Sequence, residues 1–166
     1  MKETERTITE IEVALAKNSA FHFTRNIIAY NVIGASANLR LNHECDMLIL
    51  SKSGYLTEIE IKRSWSDFIA DFKKKHNHKD EGGGMVKYFY YCVPTSIEEK
   101  VRKKLVELEI EYSGIITYSE DLDIKIYGSK QIHPHRRLFL EEQLELARLG
   151  AMRVILLKEK IIRNEL

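Results

Sequence analysis

The chain has 166 residues, 44% hydrophobic and 31% charged, with a formal net charge of +1. That length suffices for one domain with a sizeable core, and the near-neutral balance excludes a polycation that grips nucleic acid through bulk charge. No apolar run reaches bilayer length and "MKETERTITE" lacks an apolar leader, so a cytoplasmic protein with no membrane partner is expected.

Taken in chain order, "TITEIEVALAKN" opens with Thr7 three residues before Glu10, a capping-box spacing, and predicts a helix over 7–17 with Ile8, Ile11 and Leu15 on one face. "NIIAYNVIGA" reads as a strand, followed by strands over 44–50 and 55–63. "SWSDFIADFKKKHNHK" predicts a helix to about residue 76, with Ser64 or Ser66 as N-cap. "KDEGGG" is a loop, and "VKYFYYCVP" is a buried strand stopped by Pro94. Ser96 and Glu99 suggest a second capping box, opening a helix with Ile97, Val101, Leu105 and Leu108 on one side. Short strands near "GIITYS" and "DIKIYG" come next. Two helical pieces, "LFLEEQLELARLG" and "AMRVILLKEKIIRNEL", finish the chain, separated or bent at Gly150. Their wide apolar face is explained first by packing on the domain and second by a homodimer contact. The order helix, three strands, helix, strand, helix, strand predicts an α/β sandwich with a mixed sheet.

The stretch "SKSG" between the second and third strands carries the first functional signal. A three-residue loop of Lys52, Ser53 and Gly54 suits a type I turn closed by a glycine in the left-handed region. That turn pairs Ser51 with Tyr55 and, run back along the ladder, sets Asp46 opposite Glu60, with Cβ atoms roughly 5 Å apart. A two-residue loop would instead set Asp46 opposite Ile59 and disperse the cluster. Leu56, Glu58, Glu60 and Lys62 share one face of the third strand, with Glu58 read as a solvated or supporting charge. Two carboxylates so close repel unless a cation sits between them. Asp46, Glu60 and the Ile61 main-chain carbonyl offer the oxygen set that Mg²⁺ takes, and Lys62 could position a water or stabilise transition-state charge. The bland alternative is a sheet face of merely solvated charges.

An Asp, a hairpin and then E-x-K resembles the PD-(D/E)XK nuclease superfamily, and within it the MmcB-like proteins associated with DNA repair. The residues that carry the resemblance are Asp46, Gly54, Glu60-Ile61-Lys62, Ser64, "DFIADFK" from Asp67 to Lys73, and "YFYYCVP". It spans roughly half the chain. It implies a restriction-endonuclease-like core, αβββαβ, over about 7–94, within a single domain over 1–166 whose C-terminal extension covers about 95–166. It implies Mg²⁺-dependent (Mn²⁺ being possible) cleavage of DNA in repair or mobile-element processing. Asp46 and Glu60 would be metal ligands and Lys62 the catalytic lysine. A first-helix glutamate, Glu12, would join them, and Ser64, Asp67, Asp71 and Lys73 would support the site. Two departures stand out: Cys45 replaces the proline that often precedes the aspartate, and "HNHKDEGGG" looks like an insertion.

The basic residues Arg63, Lys74, Lys75 and Lys79 could track a phosphate backbone, or simply form a solvated helix end. The histidine pairs in "HNHKD" and "HPH" are too few for a zinc site. Cys45 and Cys92 lie in apolar runs and read as small buried thiols, and Trp65 as a core anchor. The alternative to a nuclease is a catalytically inactive nucleic-acid-binding or assembly module that kept the fold.

Overall fold

The computed structural model describes residues 6–33, 39, 41, 43–72 and 85–163. Helix α1 (Ile8–Lys17) starts where the capping box places it: the Glu10 amide donates to Thr7 Oγ1 at 3.2 Å and the Thr7 amide donates to Glu10 Oε2 at 2.8 Å. Ile11 and Leu15 are buried, whereas Ile8 at the helix entrance is exposed. Strands β1 (Ile27–Ile33), β2 (Glu44–Leu50) and β3 (Leu56–Ile61) follow, then α2 (Trp65–Asp71) and β4 (Val86–Pro94). The expected order αβββαβ is therefore present. After a 3-10 turn at Thr95–Ile97 come α3 (Glu98–Glu107), β5 (Ser113–Tyr118), β6 (Ile124–Tyr127) and α4 (Leu140–Ile162).

The six strands form one sheet in chain order. β1–β2 and β2–β3 are antiparallel, β3–β4 and β4–β5 are parallel, and β5–β6 is antiparallel. The sheet is thus mixed, and each parallel pair is bridged by a crossover, as connection geometry requires. One face carries Leu48, Leu50, Leu56, Phe89 and Tyr91 and packs with Phe68 of α2, Val101 and Leu105 of α3, and Leu146 of α4. The other carries Met47, Ile49, Ile59, Ile61 and Cys92 and packs with Ile11, Leu15 and Ala16 of α1. β3 lies inside the sheet with both faces covered, so its charged residues cannot be solvated.

Two elements differ from expectation. Ser96 makes no capping bond: it lies within the 3-10 turn, and α3 begins at Glu98 with Ile97 at its uncapped N-cap. Pro94 ends β4 and the chain turns tightly before it can present a serine cap. The C-terminal segment is one continuous helix rather than two. Gly150 serves a close approach instead of a break, since a Cβ there would stand 3.0 Å from the Ile28 carbonyl oxygen of edge strand β1. Arg153 then ties the helix to the same strand through the carbonyls of Tyr30 and Asn31. Beyond it Val154, Ile155, Leu156, Leu157, Ile161 and Ile162 are exposed. Among the described residues no helix is long and apolar enough to cross a membrane.

The turn between β2 and β3 is the predicted three-residue loop. Gly54 has φ +81°, its amide donates to the Ser51 carbonyl at 2.9 Å, and the Ser51 amide donates to the Tyr55 carbonyl at 3.0 Å. The ladder pairs Leu50 with Leu56 and Met47 with Ile59, the register that sends Asp46 toward Glu60. A side chain is strained at that φ, so Gly54→Ala is expected to lower the unfolding free energy by about 1–2 kcal/mol, read from urea denaturation.

Candidate metal centre at the open end of the hairpin

The open end of the β2–β3 hairpin gathers the charged side chains. The Asp46 carboxylate accepts a 2.8 Å hydrogen bond from the Ile61 amide, which pins it across the two strands. Glu60 and Lys62 are 3% and 4% exposed, and Asp71 on α2 is 4% exposed. Lys62 Nζ stands 2.9 Å from Glu60 Oε2 and 2.9 Å from Asp71 Oδ1. Tyr91 of β4 donates to Asp71 Oδ2 at 3.1 Å, and its ring packs edge-on against Phe68 and Phe89. The Lys62 amide donates to the Cys92 carbonyl at 2.8 Å, fixing the backbone where β3 ends.

Helix α2 supplies Asp71 because its first turn is well capped. Ser64 Oγ accepts from the Asp67 amide at 3.2 Å, and Asp67 Oδ2 accepts from the Arg63 amide at 3.1 Å. Ser64 and Asp67 thus fix the start of the helix that carries Asp71. Phe68 anchors the same helix in the core, with Trp65 half-buried beside it.

The electrostatics are those of carboxylates crowded away from water. Burial, followed by the Asp46 charge, pushes Glu60 up to about 7 despite the adjacent Lys62. Burial also raises Asp46 above the usual carboxylate range, although the Ile61 amide and Lys62 oppose it. Glu12 on α1 is pushed up to about 7 by burial and then by Asp46, with Arg153 pulling the other way. Burial alone would lower Lys62, but Glu60 and Asp71 outweigh it and hold the ammonium charged well above its ordinary range. Glu12 Oε1 and Glu60 Oε1 are buried with no hydrogen-bond partner among the described residues. Oxygens left unpaired beside a second anion fit a hard divalent cation, and the surrounding donors are all oxygen. The site thus brings together Asp46, Glu60, Lys62, Glu12 and Asp71. Ile61 presents its amide to Asp46. Arg63 is exposed next to Lys62. Lys73, Lys74, Lys75 and Lys79, with the glycine-rich loop after them, lie outside the described residues.

For Glu58 the solvated alternative is corrected, and the supporting one is not. It is 2% exposed, not solvated, and its Oε1 stands 2.5 Å from His43 Nε2. The cause is its place on a covered strand, opposite Leu48. His43 went unnoticed in the sequence. Its signal was the spacing His43-x-Cys45, which puts both side chains on one side of the chain entering β2. Both cysteines are buried and free. Burial, then the charges of Glu58 and Glu60, pushes the Cys45 thiol far up.

No family model matches the chain, and no curated protein matches it. A solved structure of a protein of unknown function from Silicibacter pomeroyi is similar, with TM-score 0.59 and 17% identity, covering 93% of this chain and 90% of that one. At that identity the likeness concerns the fold: an α/β domain with a six-stranded mixed sheet, flanking helices and a C-terminal helix.

Glu12 and Glu60 make stability depend on pH. Unfolded, each releases its proton near 4.5, whereas in the folded chain each holds it to about 7. Folding therefore takes up protons in that window, and the stability these groups contribute falls as pH rises through it. Melting temperatures measured in chelator from pH 4.5 to 8 are expected to show this slope in the native chain, and to show it flattened in the Glu12→Gln/Glu60→Gln variant.

Proposed function

We propose that the chain is a metal-dependent phosphodiesterase of the PD-(D/E)XK kind that cleaves DNA. The observation that carries this reading is the convergence of Glu12, Asp46 and Glu60 beside Lys62, with buried carboxylate oxygens left unpaired. Asp46, Glu60 and Glu12, with the Ile61 carbonyl, would hold Mg²⁺ or Mn²⁺. A bound ion would lower the pKa of a water and neutralise charge on a phosphoryl oxygen. Lys62 remains protonated, because Glu60 and Asp71 hold its charge, and it serves as a hydrogen-bond donor rather than a base. Two of its three N–H groups go to those carboxylates, so the third is the one to meet a phosphoryl oxygen. Asp71 and Tyr91 keep the ammonium in place. Arg63, exposed beside it, suits a contact to the phosphate backbone.

The exposed apolar side chains of α4 favour a pairing of two chains, which suits cutting of two strands. Sedimentation should show a dimer that Ile155→Glu converts to monomer; a native chain that sediments as a monomer removes this part.

The main test is incubation with plasmid, single-stranded and branched DNA, with and without Mg²⁺ or Mn²⁺. Cleavage should require the metal, and Glu60→Gln and Lys62→Met should each slow it on the order of 10²-fold or more. Circular dichroism checks that both variants fold. Undiminished cleavage by both would remove these residues from the chemistry. DNA binding without cleavage, indifferent to EDTA, would favour the inactive binding module.

A further inference from the structure

Next to the oxygen-only carboxylate set lies a cluster with different donors. His43 Nε2 stands 2.5 Å from Glu58 Oε1 and 3.5 Å from Cys45 Sγ, and one ligand atom from each residue lies within 4.8 Å of the other two. We propose that His43, Cys45 and Glu58 form a second metal site, selective for a borderline divalent cation of the zinc class.

The donor chemistry sets the class. Imidazole, thiolate and carboxylate together suit zinc and its neighbours, whereas magnesium avoids sulfur. One of the three separations already fits such an ion. A tetrahedral ion with bonds of about 2.0–2.3 Å holds its ligand atoms about 3.3–3.6 Å apart. The sulfur–nitrogen edge, at 3.5 Å, already has that length. The nitrogen–oxygen edge, at 2.5 Å, is a direct hydrogen bond that must open by about 1 Å for the ion to enter. A modest rotation of the Glu58 carboxylate does this.

Charge supplies a further reason. Glu58 and Cys45 are 2% and 0% exposed. A divalent cation with one carboxylate, one thiolate and one neutral imidazole sums to zero, which a buried position favours. Binding breaks the Cys45 S–H bond and forms a sulfur–metal bond, while the proton leaves to solvent. His43 coordinates through Nε2 with its ring proton on Nδ1, and nothing is oxidised or reduced. His43, its side chain 9% exposed, is the least buried of the three. Three protein ligands leave a fourth position for water. The ion would clamp the start of β2 to the middle of β3, one residue from Asp46 and two from Glu60. The proposal stands independently of nuclease activity.

Cobalt(II) is the probe, titrated into the full chain in place of zinc. One equivalent should produce thiolate-to-cobalt charge-transfer absorption and the intense visible bands of four-coordination, both displaced by Zn²⁺. Cys45→Ser should abolish the charge-transfer band, and His43→Gln and Glu58→Gln should each weaken binding ten-fold or more. The Asp46→Asn/Glu60→Gln variant should retain the band, which separates this site from its neighbour. A folded native chain that shows no such band, or a band that survives Cys45→Ser, overturns the proposal. If Cys45→Ser fails to fold, His43→Gln decides: unchanged cobalt affinity there overturns it equally.

Discussion

The structure turns on one buried ammonium group. Lys62 sits at the end of a strand covered on both faces, held between Glu60 from its own strand and Asp71 from α2. Breaking such a pair by removing one partner costs about 3–5 kcal/mol, because an uncompensated charge stays behind. Everything that meets at Lys62 is therefore constrained by it. The capped start of α2 delivers Asp71, the aromatic packing of β4 delivers Tyr91, and the hairpin register delivers Glu60.

The same constraint explains why local sequence signals revealed so much of the site. The turn at Lys52–Gly54 fixes the register, and the register alone decides that Asp46 approaches Glu60 and not Ile59. Gly54, with its positive φ, was the legible residue, and the ladder from Leu50 to Met47 follows from it. Thr7 and Ser64 marked two helix starts for the same reason: a cap satisfies specific backbone amides, and few residue types can do that. The resemblance supplied Glu12 and Asp71, which no spacing argument within the hairpin could reach.

What escaped the sequence depends on contacts between distant segments. Glu58 alternates with apolar residues in the way a solvated charge would, and only the covering of both sheet faces shows that it is buried. Its partner His43 precedes β2, and nothing in the spacing of the two residues joins them. Ser96 had the pattern of a cap but fell within a 3-10 turn, set by how β4 ends. Gly150 had the pattern of a helix break. Its purpose is visible only against Ile28 on the edge strand, where the absence of a side chain lets α4 approach.

The charge balance around the hairpin links the two halves of the functional reading. Among the described residues, Glu12, Asp46, Glu58, Glu60 and Asp71 are five carboxyl groups, and Lys62 and Arg153 are fixed cations beside them. Such an excess of buried anions is resolved in one of two ways: the carboxyls take up protons, or divalent cations occupy the space between them. The first is the state in which Glu12 and Glu60 are pushed up to about 7. The second competes with it directly, since a proton and a metal ion seek the same oxygens. The carboxyls that hold their protons to near neutrality, Glu12 and Glu60, are thus the ones that would receive the metal proposed above. The Glu58 side of the cluster differs from the Glu60 side only by offering nitrogen and sulfur as well. On the two proposals, these neighbouring residues on one strand face would take different ions because of the partners that the β2 segment brings to them.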